Sequence, residues 1–504
     1  MRVNRNSIVE TKNGRLQGYF TGQCLLFAGI PYAAPPTGES RFRPPQPPAP
    51  WAGVRDATHF GTIQPQSPSR FDRFLGRDLS PQSEDSLFLN VWTPSTEPAN
   101  HPVIVYIHGG ASISGSGSMP LYHGASFAER HDIVFVTINY RLAELGSLYL
   151  GHLDPAYATS GNTALLDMIA ALAWVRDNIA AFGGDPSNVT IWGQSAGARA
   201  VVSLMAAAQA AGLYHRVICH SVASITPLRS MADAIATTER FFQVAGIRQV
   251  ADLQTTPIEK LLVIRKEVMQ VAPPARTVWG MMVDDEILFE QPLTAVSAAR
   301  VPSVPLLVGA CADDYRPYLA VLPASTIPKE ETAVIHHFNR LGLDGTRLVQ
   351  FYRDLLGDVA ATEIFCEAMA DYTFRQPTLK LAERHAPHAP TYLFDFDWAS
   401  PVQGGTLGAG HTVELPFAFH NLWTRTTPYQ LGDNPPLALA DQMHAAWSHF
   451  AHTGKPSLAE WSTYDLDERA TMVFGEETAV SHDPRSQQRQ FWTDKLHTDT
   501  GEHR

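Results

Sequence analysis

Apolar residues along this chain fall into two kinds of pattern. Short unbroken runs stand at 103–107 (VIVYI), 133–138 (IVFVTI) and 189–192 (VTIW), and again at 304–308 (VPLLV) and 391–396 (TYLFDF). Runs of this length, rich in β-branched and aromatic residues and lacking polar alternation, predict strands covered on both faces. Longer segments, 164–175 (ALLDMIAALAWV) and 198–206 (ARAVVSLMA), read as helices. Their alternation with the strands predicts an α/β fold, a largely parallel sheet wrapped by helices. No repeat of 20 to 50 residues is visible, and proline and glycine are spread evenly, so residues 1–504 are expected to form one domain. Two helix-rich stretches, roughly 225–300 and 320–385, read as insertions that roof a pocket, because loops at the carboxyl ends of parallel strands build the ligand site in such sheets.

Composition narrows the function classes. Hydrophobic residues make up 44% and charged residues 17%, a globular balance. The net charge is −12 and no lysine or arginine run tracks a phosphate backbone, which argues against nucleic-acid binding. The first residues, MRVNRNS, are polar and precede no apolar segment of signal or spanning length, so a cytoplasmic protein without membrane attachment is expected. Cys24, Cys219, Cys311 and Cys366 form no paired motif and read as buried free thiols. Neither a metal nor a cofactor is called for.

The residues that carry chemistry begin at Ser195, inside Gly193-Gln194-Ser195-Ala196-Gly197 and between the 189–192 run and the 198–206 helix. A string of this type arises by chance roughly 0.1 to 0.2 times in such a chain, so its context decides. A strand feeding a helix through so short a turn forces a strained backbone at the serine and projects its hydroxyl towards a substrate carbonyl. A helix-capping role would explain the serine but neither glycine.

A serine hydroxyl needs a base to take its proton and a carboxylate to orient that base. In this fold class they follow in the order serine, acid, histidine. Asp313 and Asp314 stand just past the strand ending near Gly309, and His411 follows the 391–396 strand. Of twenty histidines, position favours His411, while His108, His131, His215, His220 and His420 have structural readings. Asp314 and its neighbour Asp313 both remain candidates for the acid. The 103–107 strand runs into His108-Gly109-Gly110-Ala111-Ser112, which would aim the amides of Gly110 and Ala111, with that of Ala196, at a developing oxyanion.

These motifs resemble the type-B carboxylesterases, the branch of the α/β-hydrolases that includes bacterial para-nitrobenzyl esterases and the cholinesterases. The resemblance spans nearly the whole chain: Phe27-Ala28-Gly29-Ile30-Pro31-Tyr32-Ala33, Arg41-Phe42-Arg43-Pro44-Pro45, Glu84-Asp85-Ser86-Leu87-Phe88-Leu89-Asn90-Val91, Phe182-Gly183-Gly184-Asp185-Pro186 and Trp447-Ser448-His449-Phe450-Ala451. It implies Ser195 as nucleophile, Asp314 as acid, His411 as base, and Gly110, Ala111 and Ala196 as oxyanion donors. It also implies scaffold ion pairs, Arg41 with Glu84 and Arg141 with Asp167.

Departures from the family pattern cluster near these residues. The usual glutamate and glycine at the acid are Asp314 and Tyr315; the carboxylate is shorter by about 1.5 Å, so its backbone must sit closer to His411. Ser112 replaces a common aromatic residue, Thr412 replaces the glycine after the histidine, and Val222 replaces a glycine after Ser221. Ser86 stands where eukaryotic relatives have a disulfide cysteine.

The expected activity is hydrolysis of small-molecule carboxylic esters through an acyl-enzyme, rising with pH as the base loses its proton. Ser112 and Tyr315 motivate a carbamate or aryl-amide alternative. A non-catalytic binding protein, as some superfamily members have become, is disfavoured by retention of Ser195, Asp314 and His411. The sequence leaves the oligomeric state open.

Overall fold

A computed structural model describes residues 7–223, 227–271 and 278–496. Parts of the expected single domain (1–6, 224 and 497–504) and of the first insertion (225, 226 and 272–277) lie outside the described residues.

Eleven strands form the main sheet: β1 (Tyr19–Phe20), β2 (Leu25–Pro31), β3 (Phe88–Thr93), β4 (His101–Ile107), β5 (Val134–Ile138), β6 (Gly184–Gln194), β7 (Arg216–His220), β8 (Leu306–Cys311), β9 (Thr391–Phe396), β10 (Ala470–Phe474) and β11 (Thr478–His482). Their spatial order is β11-β10-β9-β8-β7-β6-β4-β5-β3-β2-β1. The run from β5 to β10 is parallel, whereas β1, β2, β3 and β11 pair antiparallel at the two edges. A separate sheet of Ile8–Thr11, Gly14–Gln17 and Val54–Asp56 lies beside it.

The apolar runs are buried on both faces because successive side chains enter two different cores. Val103, Val105 and Ile107 pack with Val189, Ile191, Val217 and the helices Thr163–Asn178 and Ala196–Ala206. Ile104 and Tyr106 point the other way, joining Trp192, Ile218, Phe394 and the helix Leu437–Thr453. The strand expected at 304–308 starts instead at Leu306 and runs to Cys311. Pro302 and Pro305 lack the N–H groups a central strand must donate, so pairing begins after them. All four cysteines are buried free thiols.

Both expected scaffold ion pairs form, Arg141 with Asp167 buried and Arg41 with Glu84 partly buried. Arg141 Nε and Nη2 meet both oxygens of Asp167 at 2.8 and 2.7 Å, and Arg41 does the same with Glu84 at 2.7 and 2.6 Å. Among the described residues, no helix is long and apolar enough to cross a membrane.

Candidate active site

Chain order turns back between β6 and β4, with β5 on the far side of β4, and the carboxyl ends of β4, β6, β8 and β9 all open beside this point. The segments leaving those four ends carry Ser195 and Ala196, Asp313 and Asp314, His411, and Gly110 and Ala111. β6 ends at Gln194, and Ser195 follows at φ 58° and ψ −124°, directly before the Ala196–Ala206 helix. A non-glycine residue holds that left-handed conformation only where its surroundings impose it. Here they do: a side chain at Gly193 would run into the carbonyl of Gly197, and one at Gly197 would run into the carbonyl of Ile107 on β4. Both glycines of the motif are therefore required by close backbone approach.

The loop after β8 separates the two rival carboxylates. Asp313 faces outward, bonding Arg316 Nε at 2.9 Å and accepting the Ala409 amide at 2.9 Å. Asp314 turns inward and is buried. Its Oδ1 lies 2.7 Å from His411 Nδ1, and it accepts from the Ser221 hydroxyl at 2.9 to 3.0 Å and from the Cys311 amide at 3.0 Å. Burial pushes the Asp314 carboxyl up, while the bonds from His411 and Ser221 oppose this and nearby Glu414 adds to it. Direct pairing at 2.7 Å shows how the shorter acid reaches the imidazole.

With Nδ1–H donating to Asp314, Nε2 of His411 is left as an acceptor, and the side-chain amide of Gln194 donates to it at 3.1 Å. Among the described residues the Ser195 hydroxyl has no hydrogen-bond partner. Ser195 and His411 nonetheless line one cavity of about 650 Å³ together with Gly109, Gly110 and Ala111. The loop after β4 turns tightly, with Ile113 and Ser114 amides both donating to Gly110 oxygen at 3.0 Å. Gly110 has φ 108°, and a side chain there would strike the Ser114 carbonyl. Ala111 and Ser112 both adopt positive φ, 55° and 61°. Among the described residues, the amides of Gly110, Ala111 and Ala196 donate to no backbone oxygen.

Of the two helix-rich stretches, the first sends the helix Ile258–Val271 over the cavity, where Leu262, Arg265, Lys266 and Met269 line it. The second contributes Val321 and Leu322. Its helices Glu331–Arg340, Gly345–Leu356 and Ala361–Ala370 pack among themselves and against Trp492. Neither Ser112 nor Tyr315 lines the cavity. Ser112 neighbours Gly280, and Tyr315 stacks behind Tyr318, which does line it.

Three residues that matter to the geometry escaped the sequence reading as parts of the site. Ser221, Gln194 and Phe374 each touch the His411–Asp314 pair, the last with its ring centroid 4.5 Å from that of His411. Gln194, inside the serine motif, and Ser221, beside the departure at Val222, carried a signal, whereas Phe374 carried none. The histidines with structural readings have partners of their own: His108 stacks on Tyr140 at 4.4 Å, and His220 lies 3.2 Å from Glu414 and accepts from Trp447 at 2.8 Å.

Comparison with known proteins shows the family of this chain. The family model described as "Carboxylesterase family" matches residues 5–492. A para-nitrobenzyl esterase of Bacillus subtilis is 36% identical, covering 96% of this chain and 98% of its own length. A phenmedipham hydrolase of Pseudarthrobacter oxydans is 31% identical, covering 94% and 96%. The crystal structure of a Geobacillus stearothermophilus carboxylesterase superposes with a TM-score of 0.87 at 37% identity, covering 97% of this chain and all of that one. With a family model matching residues 5–492 and a solved carboxylesterase superposing over 97% of the chain, this chain has the α/β-hydrolase fold, belongs to the carboxylesterase family and is a carboxylic ester hydrolase.

Proposed function

We propose that Ser195, His411 and Asp314 hydrolyse small-molecule carboxylic esters through an acyl-enzyme. The observation that carries this is the strained Ser195 at φ 58°, facing the same cavity as a His411 whose Nδ1 is bonded to a buried Asp314 at 2.7 Å. The Gln194 amide holds the resting imidazole through Nε2; on substrate entry the imidazole exchanges that bond for the Ser195 hydroxyl. His411 takes the Oγ proton as Oγ bonds to the carbonyl carbon. The amides of Gly110, Ala111 and Ala196 receive the oxyanion. The proton then passes to the departing alkoxide, and water repeats the sequence on the acyl-enzyme, returning serine and the carboxylic acid. The chain acts as one domain, with the 225–300 and 320–385 stretches covering the pocket, and it works without metal or cofactor in the cytoplasm.

A fluorophosphonate probe followed by mass spectrometry, alongside hydrolysis of short para-nitrophenyl esters, tests this. Stoichiometric labelling at Ser195, abolished in Ser195→Ala, with ester turnover is expected. A folded protein that turns over esters while Ser195 stays unlabelled would assign the nucleophile elsewhere. Ser112 and Tyr315, which suggested a carbamate or aryl-amide alternative, are not among the residues that line the cavity, and turnover of matched ester, carbamate and anilide substrates distinguishes the two readings.

A further inference from the structure

The helices Ala361–Ala370 and Gln376–His385 form one continuous rod interrupted by a single π-helical turn, Asp371–Arg375. Pro377 explains the interruption: its ring would clash with a carbonyl four residues back, and a wider turn removes the conflict. The widened turn has two contacts with the site. Arg375, paired with Asp371, donates through Nη2 to the carbonyl of Ala312, two residues before Asp314. Phe374 is buried, 1% exposed, and lays its ring beside the His411 imidazole at 4.5 Å between centroids and 32° between planes. Tyr318 at 5.7 Å and Phe71 at 6.4 Å contact the same imidazole less closely and more steeply, at 46° and 77°.

We propose that Phe374 is a positioning residue whose ring face holds the His411 imidazole and stabilises the imidazolium that forms as Ser195 attacks. This rests on the ester-hydrolase reading above. A cation over an aromatic face is attracted by the ring quadrupole, and more strongly where water is excluded. Because His411 is neutral at rest and charged during attack, the attraction acts on the transition state more than on the bound substrate, and it raises kcat rather than lowering KM. The other groups facing the imidazole are Asp314, the neutral Gln194, the Tyr318 and Phe71 rings, and Glu414, whose carboxylate acts on it through space. None of them is altered by changing the electrons of the Phe374 ring.

Incorporation of mono-, di- and trifluorophenylalanine at position 374 tests the proposal, since fluorination drains the ring face at nearly constant shape. kcat on a para-nitrophenyl ester should fall stepwise, by about five- to tenfold at the trifluoro ring, with KM unchanged within about twofold. The acid-limb midpoint of the pH profile should fall by about 0.5 to 1 unit in parallel. Phe374→Leu should lower kcat at least as far, its fold verified by thermal melting. A series in which kcat and midpoint stay flat while esters are turned over overturns the proposal and leaves the esterase reading standing. If the unmodified protein turns over no ester, the esterase reading fails, and NMR titration of 13C-labelled His411 across the same series decides: a midpoint falling with fluorination supports the contact, a static one overturns it.

Discussion

Asp313 and Asp314 are adjacent in sequence yet occupy unrelated environments, and that contrast is the strongest test at the residue scale. Asp314 orients the Nδ1–H tautomer of His411, whereas Asp313 braces its loop through Arg316 and the Ala409 amide. Asp314→Asn presents a donor where an acceptor is needed and should lower kcat by about 10⁴ while the protein remains folded. Asp313→Asn should leave kcat within about threefold, its cost falling on stability instead. Ester turnover and melting temperature of the two variants check this; a reversed ranking would move the acid to Asp313. The sequence already placed a carboxylate here but could not choose between neighbours, because side-chain direction depends on how the loop after β8 is pinned.

At the scale of elements, the loop after β4 and the turn after β6 work as a pair. Gly197 closes against the Ile107 carbonyl, bringing the helix that begins at Ala196 beside Gly110 and Ala111. Deleting an oxyanion donor cleanly requires changing the backbone, since Ala111 sits at φ 55° and proline could not adopt that angle without rebuilding the loop. Replacing Ala111 by lactic acid exchanges its N–H for an ester oxygen and keeps the side chain. A loss of about 10² to 10³ in kcat is expected on small esters; an unchanged rate would show that another amide receives the oxyanion. Both glycines were legible as a turn signal. The π-helical turn was not, because its cause, Pro377, gains meaning only once the segment before it is helical and sets Phe374 against His411 and Arg375 against Ala312.

At the scale of the whole molecule, buried neutral histidines couple folding to pH. Burial holds His108 and His385 down at about 4 and His444 at about 3. Among the described residues, His385 and His444 each leave Nε2 without a hydrogen-bond partner, as a neutral ring bonded only through Nδ1 would. An unfolded histidine titrates near about 6.5, so below that pH the unfolded chain binds protons that the native chain refuses. The stabilisation is complete above pH 6.5 and is lost as pH falls towards 4, each histidine removing about 1.4 kcal/mol per pH unit in that window. Melting temperature should therefore drop between pH 7.5 and 5.5, and His444→Gln should flatten the drop. A melting temperature constant across this range would show that these rings are not held neutral.

The sequence by itself determined the alternating α/β order, the strand-turn-helix at Ser195, the glycine loop after β4 and the chain order of serine, acid and histidine. These are legible because each depends on local constraints: apolar runs, turns that only glycine permits, and residues placed at strand ends. Tertiary structure alone decided that Asp314 rather than Asp313 meets His411, that Ser221 and Gln194 complete the partners of that pair, that Phe374 lies against it, and that Ser112 and Tyr315 do not line the cavity. Those outcomes rest on side-chain directions and contacts between segments far apart in the chain, such as Gln194 with His411, 217 residues apart, and no local pattern encodes them.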